Sequence, residues 1–508
     1  MLASVNVPAN YAEAIESPQR KEWESAMKEE LDSLIENDVY QEIPVEQAEK
    51  KPVASRWVFA LKFNKNNEIE KFKARLAAKG FTQKYGVDYL ETYCTMVQIM
   101  STRLILGYAA HKGLLIRQFD IKTAFLYGQL NETIYLKPPE GLNTNKLWLL
   151  RRSLYGLEQS PRMWNERFNR AMADVGLTMS QFDNSVYFNH SKKIIVIIYV
   201  DDGLIFAEDN EVINEILYGL REQFKLRELE VNMYRGLQID QQEDAIFIHQ
   251  TQYTKKILRL FNMETSKPVS NPISKEQVSE YESEPFEDLT LYRSAVGSLA
   301  FLADTTRPDI AYTVNQLARR MSSPTKTCWD RVKQALRYLA GTVDFGIKFK
   351  RDGPLQLKAF SDSDFAGDAT GKSTTGWLLM FNGSPFHWKT QLQRHSTLSS
   401  TEAETIALCS VCKELSWITR FLSELAFTDS TFTVYCDNTS TMKVVRSEQS
   451  TPRTRHLRAQ TSFVREQIDE KLIKLQHISS AQQLADILTK VVPTGKFITN
   501  RDALLRHY

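Results

Sequence analysis

Between Ile194 and Ala207 the chain reads IIVIIYVDDGLIFA, two apolar β-rich runs joined by adjacent aspartates and a glycine. Short apolar runs of this kind are buried strands. The segment therefore predicts a tight hairpin with Asp201 and Asp202 at its tip. Carboxylates beside buried strands repel each other and lose solvation unless a cation compensates. A second run, LLIRQFD, ends at Asp120 and leads straight into TAFLYG. Three carboxylates at the ends of adjacent strands form a hard-oxygen site suited to Mg²⁺. Two such ions would stabilise both the attacking and the leaving oxygen of a phosphoryl transfer. The competing reading is that Asp-Asp-Gly is a turn and nothing more.

A second set of acids is spread over the C-terminal part of the chain. In LQLKAFSDSDF, Leu355, Leu357 and Ala359 share one strand face and Asp362 lies on the other. In TFTVYCDN, Phe432, Val434 and Cys436 share a face and Asp437 points away. The helix expected over 401–425 has an apolar stripe at Leu408, Val411, Leu415, Ile418, Leu422 and Leu425. Glu404 falls on that stripe, whereas Glu402 lies about 160° from it. A carboxylate on a core-facing stripe is costly without a cation or donor, which makes Glu404 the functional candidate. Ser480 with Gln483 reads as a capping box opening a helix, with Asp486 two turns in. Taken singly, each acid is a solvated surface residue; as an ordered set of four they suit a two-metal nuclease.

The 508 residues are enough for roughly three domains, and 42% hydrophobic with 25% charged residues is the composition of a globular chain. The longest apolar run, Ile194 to Val200, is far short of the roughly 20 residues of a membrane span. The N-terminus MLASVNVPAN lacks the basic start and apolar stretch of a signal peptide. Five cysteines make no disulfide framework, so the expected setting is intracellular and reduced. Net charge is only +2, but Lys62 to Lys84 carries seven basic residues against Glu68 and Glu70, interleaved with Phe63, Phe72, Phe81 and Tyr85. Such a strip suits a polyanion or is a solvated hairpin.

Along the chain, residues 11–37 read as one amphipathic helix (Trp23, Met27, Leu31, Leu34) and Arg56 to Phe81 as a hairpin around KNNE. Strands and helices alternate to about residue 265. Met263 to Thr290 reads as a polar linker, and Leu291 to Ala340 as helical with a break at Arg307–Pro308. Cys409 and Cys412 form a CxxC without a second pair, which favours packing over zinc or redox chemistry. Trp388 and Phe386 are core or nucleic-acid-facing aromatics. His456, with Arg453, Arg455 and Arg458, is a phosphate contact or a solvated loop.

From about Trp23 to about Lys496 these residues resemble the reverse transcriptase–RNase H region of copia-type retrotransposon Pol polyproteins. The motifs are SRWVFALK, KARLAAKGFTQKYGVDYLET, QFDIKTAFLYG, SLYGLEQSPRMW, YVDDGLIFA, TRPDIAYTVNQLARRMSSP, SDSDFAGD, SSTEAE, VYCDN and QLADILTK. The resemblance implies a multidomain α+β and α/β chain: a right-hand polymerase of fingers, palm and thumb, followed by an RNase H-like mixed-sheet domain. The expected divisions are an N-terminal helical segment (1–44), fingers and palm (45–262), thumb and connection (263–354), RNase H-like domain (355–492) and a C-terminal tail (493–508).

The resemblance also implies roles. Asp120, Asp201 and Asp202 match the palm carboxylates that hold two Mg²⁺ ions, with Mn²⁺ as a substitute. Lys73 and Arg75 resemble the finger residues that grip the incoming triphosphate. Phe125 resembles the steric gate against a ribose 2′-hydroxyl. Tyr155, Gly156, Gln159, Ser160 and Pro161 resemble the loop that positions template and nucleotide. Asp362, Glu404, Asp437 and Asp486 match the four RNase H acids and their metal pair. The implied partners are an RNA template, a DNA primer, the RNA–DNA hybrid and dNTPs, with integrase and Gag proteins of the same element. The implied location is a cytoplasmic virus-like particle or the nucleus, with no membrane.

The chain departs from the family at several positions. Glu158 stands where Lys is usual, Cys94–Thr95 where Ala-Pro is usual, and Gln98 where a basic residue is usual. Gln391–Leu392 replaces Lys-Lys, and Glu230 and Arg235 replace Gly and Leu. Four of these remove positive or add negative charge, and each lost phosphate contact weakens binding and its salt dependence. The alternative expectation is therefore a catalytically decayed, nucleic-acid-binding relic. The histidine nearest before Asp486, His477, precedes the expected helix cap, which argues against a histidine assisting product release.

Overall fold

The computed structural model describes residues 6–63, 68–92, 97–274, 283–351, 353–427, 431–447 and 455–508. Most of the expected KNNE turn, the Cys94–Thr95 pair and Arg453 lie outside the described residues.

The run expected as one helix over 11–37 is two, α1 (Tyr11–Glu16) and α2 (Arg20–Glu36). Ser17 precedes Pro18 and is extended (φ −70, ψ 154), as the proline ring requires. Trp23 of α2 is buried edge-on to Phe59 and Phe72 at 5.2 and 4.7 Å. Those rings belong to the antiparallel hairpin β2 (Ser55–Phe63) and β3 (Ile69–Ala78), which follows β1 (Tyr40–Pro44). α2 thus braces this hairpin, and β1 pairs with a later strand. The expected division at residue 44 is not a structural boundary.

Next come α3 (Ile99–Lys112), β4 (Leu115–Ile121), β5 (Gln129–Leu136), β6 (Lys146–Arg152), α4 (Ser160–Asp174), β7 (Thr178–Met179), β8 (Val186–Asn189), β9 (Ile194–Tyr199), β10 (Asp202–Ala207), α5 (Asn210–Arg221) and β11 (Leu226–Leu229). Strands β11-β4-β10-β9-β8-β7 form an antiparallel sheet. Residues of β9 and β10 are buried on both faces, which is why their sequence is a continuous apolar run rather than an alternating one. One face meets Trp164 and Phe168 of α4 and Ile213 and Leu217 of α5. The other joins a core that extends to Leu505.

A third group contains β12 (Met233–Tyr234), β13 (Leu237–Gln241), β14 (Ala245–His249), α6 (Thr251–Leu260), α7 (Leu289–Thr305), α8 (Ala311–Ala318), α9 (Lys326–Ala340) and β15 (Phe345–Lys350). A 3-10 turn at Pro308–Ile310 makes the expected break. Within the expected linker Ile273 is buried, and Arg337 Nε donates to Lys267 O at 2.7 Å. The described part of the linker is therefore strapped along α9.

The last unit is β16 (Leu357–Asp364), β17 (Thr374–Phe381), β18 (Ser384–Leu392), α10 (Ser400–Glu424), β19 (Phe432–Cys436), α11 (Thr439–Arg446), α12 (Arg458–Asp469) and β20 (Ile473–His477). Its sheet order is β18-β17-β16-β19-β20, antiparallel on one side of β16 and parallel on the other. The segment expected as a tail is helix α13 (Thr494–Leu504) and β21 (Arg506–His507), and β21 pairs with β15. This segment therefore ties the last unit back to the sheet that contains β15.

The two halves share buried contacts. Arg103 of α3 lies 4.0 Å above the Trp388 ring and donates to Phe386 O and Asp304 O at 2.6 Å each and to Thr305 O at 2.8 Å. Trp388 and Phe386 are thus core residues. Cys409 and Cys412 are buried free thiols packed in α10.

Candidate active sites

In the palm, β10 pairs with β4 so that Asp202 lies directly opposite Asp120. Asp201 occupies the turn, and its carbonyl accepts from Ile121 N at 2.8 Å. The preceding Val200 has φ +61, an unfavourable conformation for a β-branched residue. Trp164 Nε1 holds that turn by donating to Val200 O at 2.6 Å. Gly203 admits no side chain, because a Cβ there would lie 2.2 Å from the Phe119 ring. The glycine after the two aspartates is thus required by packing.

Burial and the nearby Asp120 raise the Asp201 carboxyl above its ordinary range. Asp202 is pushed to about 7, mainly by burial, against a lowering hydrogen bond from Gln118. Lys73 of β3 is lowered to about 8 by burial and by Arg75, with Asp201 acting in the opposite sense. Two residues on, the Arg75 guanidinium stacks over the Tyr155 ring at 4.5 Å, and Phe125 meets Tyr155 edge-on at 5.1 Å. Lys73, Arg75, Phe125 and Tyr155 therefore form one cluster, coupled electrostatically to the palm acids. The loop carrying Tyr155 presses on the fingers. Tyr155 O accepts from Ala78 N at 2.7 Å, and a Cβ on Gly156 (φ +87) would lie 2.2 Å from Ala78 O.

Gln159 stands apart from this cluster. It is fully buried, with Nε2 donating to Asp88 O at 3.0 Å and Oε1 accepting from Gln83 at 3.2 Å. These bonds fasten the loop to the segment of Gln83 and Asp88. Ser160 likewise spends its hydroxyl on Leu154 O at 2.6 Å.

In the last unit, Asp362 (β16), Glu404 (α10) and Asp437 (after β19) bring one oxygen each within 4.8 Å of one another, alone in doing so among the described residues. Glu404 Oε1 accepts from Ser363 N at 3.1 Å, and its Oε2 is buried without a partner. Burial and the charges of Asp362 and Asp437 push the Glu404 carboxyl well up. Asp362 is raised to about 6 by burial, with Lys490 opposing and Asp486 adding to the shift. Glu402 instead caps its helix: its Oε2 accepts from Leu398 N at 2.7 Å while Ser399 Oγ accepts from Glu402 N at 3.2 Å.

The expected capping box at Ser480 and Gln483 does not form. Ser480–Gln482 and Leu484–Leu488 are 3-10 turns. Ser480 Oγ donates to Asp437 Oδ2 at 2.7 Å, and Gln483 Nε2 donates to Ser361 O at 2.9 Å. These bonds pin the turn carrying Asp486 against β16 and Asp437, and Asp486 lies within its first turn. Sequence reasoning also missed Gln118 and Lys496, each bonded to one of the acids, and Lys490, which is paired with two. The available signals were a glutamine on the same strand as Asp120, two residues before it, and a lysine four residues after Asp486.

Of the positions that depart from the family, Arg235 packs inward over the Tyr199 ring at 4.5 Å and donates to Val97 O. It braces the palm hairpin from behind. Gln98 caps α3, its backbone N–H donating to Asp183 Oδ2 at 3.0 Å. Glu158 and Gln391 are exposed.

The palm sheet with its acid-tipped hairpin, followed by a mixed five-stranded sheet bearing clustered acids, defines a right-hand polymerase joined to an RNase H-like domain. Residues 37–275 match the family described as reverse transcriptase (RNA-dependent DNA polymerase). The Retrovirus-related Pol polyprotein from transposon TNT 1-94 of Nicotiana tabacum is 36% identical over 96% of this chain and 38% of its own length. That from transposon RE2 of Arabidopsis thaliana is 34% identical over 94% of this chain and 33% of its own length. A foamy viral protease–reverse transcriptase solved with double-stranded DNA aligns over 90% of this chain and 70% of its own, with a TM-score of 0.50 and 11% identity, a likeness of fold. The chain belongs to the retrovirus-related Pol polyproteins of copia-type transposons and spans about a third of the length of these curated relatives.

Proposed function

We propose that the chain is an RNA-directed DNA polymerase that also degrades the RNA strand of RNA–DNA hybrids during retrotransposon replication. The observation that carries the reading is the pairing of Asp202 with Asp120, with Asp201 in the adjoining turn and the Lys73–Arg75–Tyr155 cluster electrostatically coupled to it.

The residues fit divalent cations. The palm presents three hard-oxygen donors, and burial has pushed two of them toward the neutral acid. In the RNase H-like unit Glu404 keeps an unpartnered buried oxygen beside Asp362 and Asp437. Asp120, Asp201 and Asp202 would hold Mg²⁺ in the palm, and Asp362, Glu404, Asp437 and Asp486 would hold it in the second site. The bound cations supply neutralisation of the charge that develops on phosphoryl oxygens.

The chain's own residues do the rest. Lys73 and Arg75 bind the triphosphate of a dNTP, Arg75 being held flat on Tyr155. The Phe125 ring, braced by Tyr155, excludes a ribose 2′-hydroxyl. An A-form-like hybrid is recognised mainly through its backbone, so RNA templates of many sequences with a DNA primer are accepted. Duplex DNA bound to the foamy viral relative supports a nucleic-acid partner.

The test is primer extension on an RNA template with Mg²⁺ and dNTPs, beside an Asp201→Asn/Asp202→Asn double variant. Extension by the parent and none by the variant is expected. Hybrid binding without extension by either protein would favour the relic.

A further inference from the structure

The second acid set contains an asymmetry. Asp486 is buried, yet it does not join the group formed by Asp362, Glu404 and Asp437. Both of its oxygens are claimed by lysines. Lys490 Nζ lies 2.7 Å from Asp486 Oδ1 and 3.2 Å from Asp362 Oδ2, bridging the two acids. Lys496 Nζ pairs with Asp486 Oδ2 and donates to Ser480 O at 2.7 Å.

The two lysines reach the site differently. Lys490 follows the turn that carries Asp486. Lys496 comes from α13, which lies outside the five-stranded sheet. That helix is anchored by Asn500 Nδ2 donating to Gln483 O at 3.0 Å and by Phe497 edge-on to Tyr338 at 5.6 Å. The strand after it pairs with β15. The C-terminal segment thus delivers a cation to a nuclease acid from a sheet of the polymerase half.

We propose that Lys490 and Lys496 are positioning residues that hold Asp486 away from the Asp362–Glu404–Asp437 group. A first divalent cation then binds that group, and a second binds only by displacing the lysines from Asp486. This rests on the reading of the four acids as a hydrolytic metal site. An ammonium between Asp362 and Asp486 satisfies the charge that a shared divalent cation would otherwise satisfy. Both lysines are partly exposed, their side chains retaining 35% and 28% of their accessible surface. A hydrated point charge on a flexible stem can therefore swing out to solvent.

The experiment is Mn²⁺ binding, read by electron paramagnetic resonance and calorimetry, in full-length protein carrying Asp201→Asn/Asp202→Asn to silence the palm. The parent is expected to bind one Mn²⁺ tightly, dependent on Asp362, and a second weakly. Lys496→Met should tighten the second on the order of tenfold, and Lys496→Arg should restore the parent's weak second site. Lys490→Met provides the same readout should Lys496→Met not fold. A second site unchanged or weakened in the folded Lys→Met variants would overturn the proposal. Mn²⁺ binding indifferent to Asp362→Asn would instead overturn the underlying reading of the site, and the lysine assignment with it.

Discussion

Gln118 stands two residues before Asp120 on β4, and its Nε2 donates to Asp202 Oδ1 across the sheet and to Met233 O, each at 2.8 Å. One buried amide thus links a palm carboxylate on β10 to the hairpin of β12 and β13. The second bond to a fixed backbone carbonyl sets the orientation of the amide, and through it the rotamer of Asp202.

Gln118→Leu removes both donors while filling a similar volume. Leaving buried acceptors unpaired costs about 1–3 kcal/mol. The positional effect on the reaction should be larger than the effect on binding. Single-turnover extension is expected to slow on the order of tenfold or more, with primer–template affinity within about twofold. A proportional loss of binding would mean that Gln118 supports the fold alone.

The raised carboxyls give a signed pH dependence. Asp202 titrates near 7 in the folded chain and near the ordinary aspartate value of 3.8 when unfolded. Between those values the folded state holds the extra proton, so stability from this group falls as pH rises. Asp202→Asn should therefore melt above the parent at pH 7.5 without metal, and the gap should close toward pH 5. Millimolar Mg²⁺ should raise the parent's melting temperature more than the variant's. A gap that widens on acidification would contradict the assignment.

Much of this was legible in the sequence because the relevant signals are local. The Asp201–Asp202 hairpin, the strand ending at Asp120 and the placing of Glu404 on the buried stripe of α10 each follow from period and composition over fewer than about 25 residues. What escaped depends on long-range partners. Ser480 and Gln483 match a capping box letter for letter, but Asp437 and Ser361 offer their side chains better bonds. Residues 493–508 read as a tail because β21 is only two residues long and its partner β15 lies more than 150 positions earlier. The bonds of Gln159 to Gln83 and Asp88 join residues some 70 positions apart, which no local pattern reveals.

Glu404 and Glu402 separate function from capping on a single helix. Glu404→Gln keeps the acceptor for Ser363 N and removes a charge that burial and two acids oppose. It should abolish RNA cleavage in a hybrid, leave primer extension intact, and raise the metal-free melting temperature at pH 7. Glu402→Gln weakens the cap and removes a carboxylate 3.6 Å from His456 Nε2, and should lower stability by about 0.5–1 kcal/mol with cleavage retained. Equal loss of cleavage in both would refute the face assignment.

Arg307, at the proline break, is buried with its side chain 1% exposed and forks onto Asp309 at 3.0 and 2.8 Å. Thr342 O and Oγ1 accept from the same guanidinium at 2.8 and 2.7 Å, and Tyr338 Oη donates to Asp309 Oδ2 at 2.5 Å. Removing one partner strands a buried charge, so Asp309→Ala should cost about 3–5 kcal/mol in urea unfolding. The double variant Arg307→Leu/Asp309→Leu should cost less than Asp309→Ala alone. A double variant that is additively worse would place the stabilisation in the ion pair itself rather than in avoidance of a lone charge.

Phe125 offers a test of substrate choice. Its backbone carbonyl accepts from the Ser153 hydroxyl, and its ring rests edge-on against Tyr155, which Arg75 covers. The loop between β6 and α4 thus holds both the backbone and the ring of Phe125. Phe125→Ala removes the obstruction without disturbing Lys73 or the palm acids. Discrimination between dNTP and rNTP, measured as the ratio of kcat/KM values, should fall by on the order of 10²-fold, about 2.7 kcal/mol, through improved use of rNTPs. The rate with dNTPs should drop only a few-fold, because Tyr155 loses an edge contact worth about 0.5–1.5 kcal/mol. Unchanged discrimination, with both substrates used equally poorly, would assign Phe125 to loop packing and leave the exclusion of ribose to another side chain.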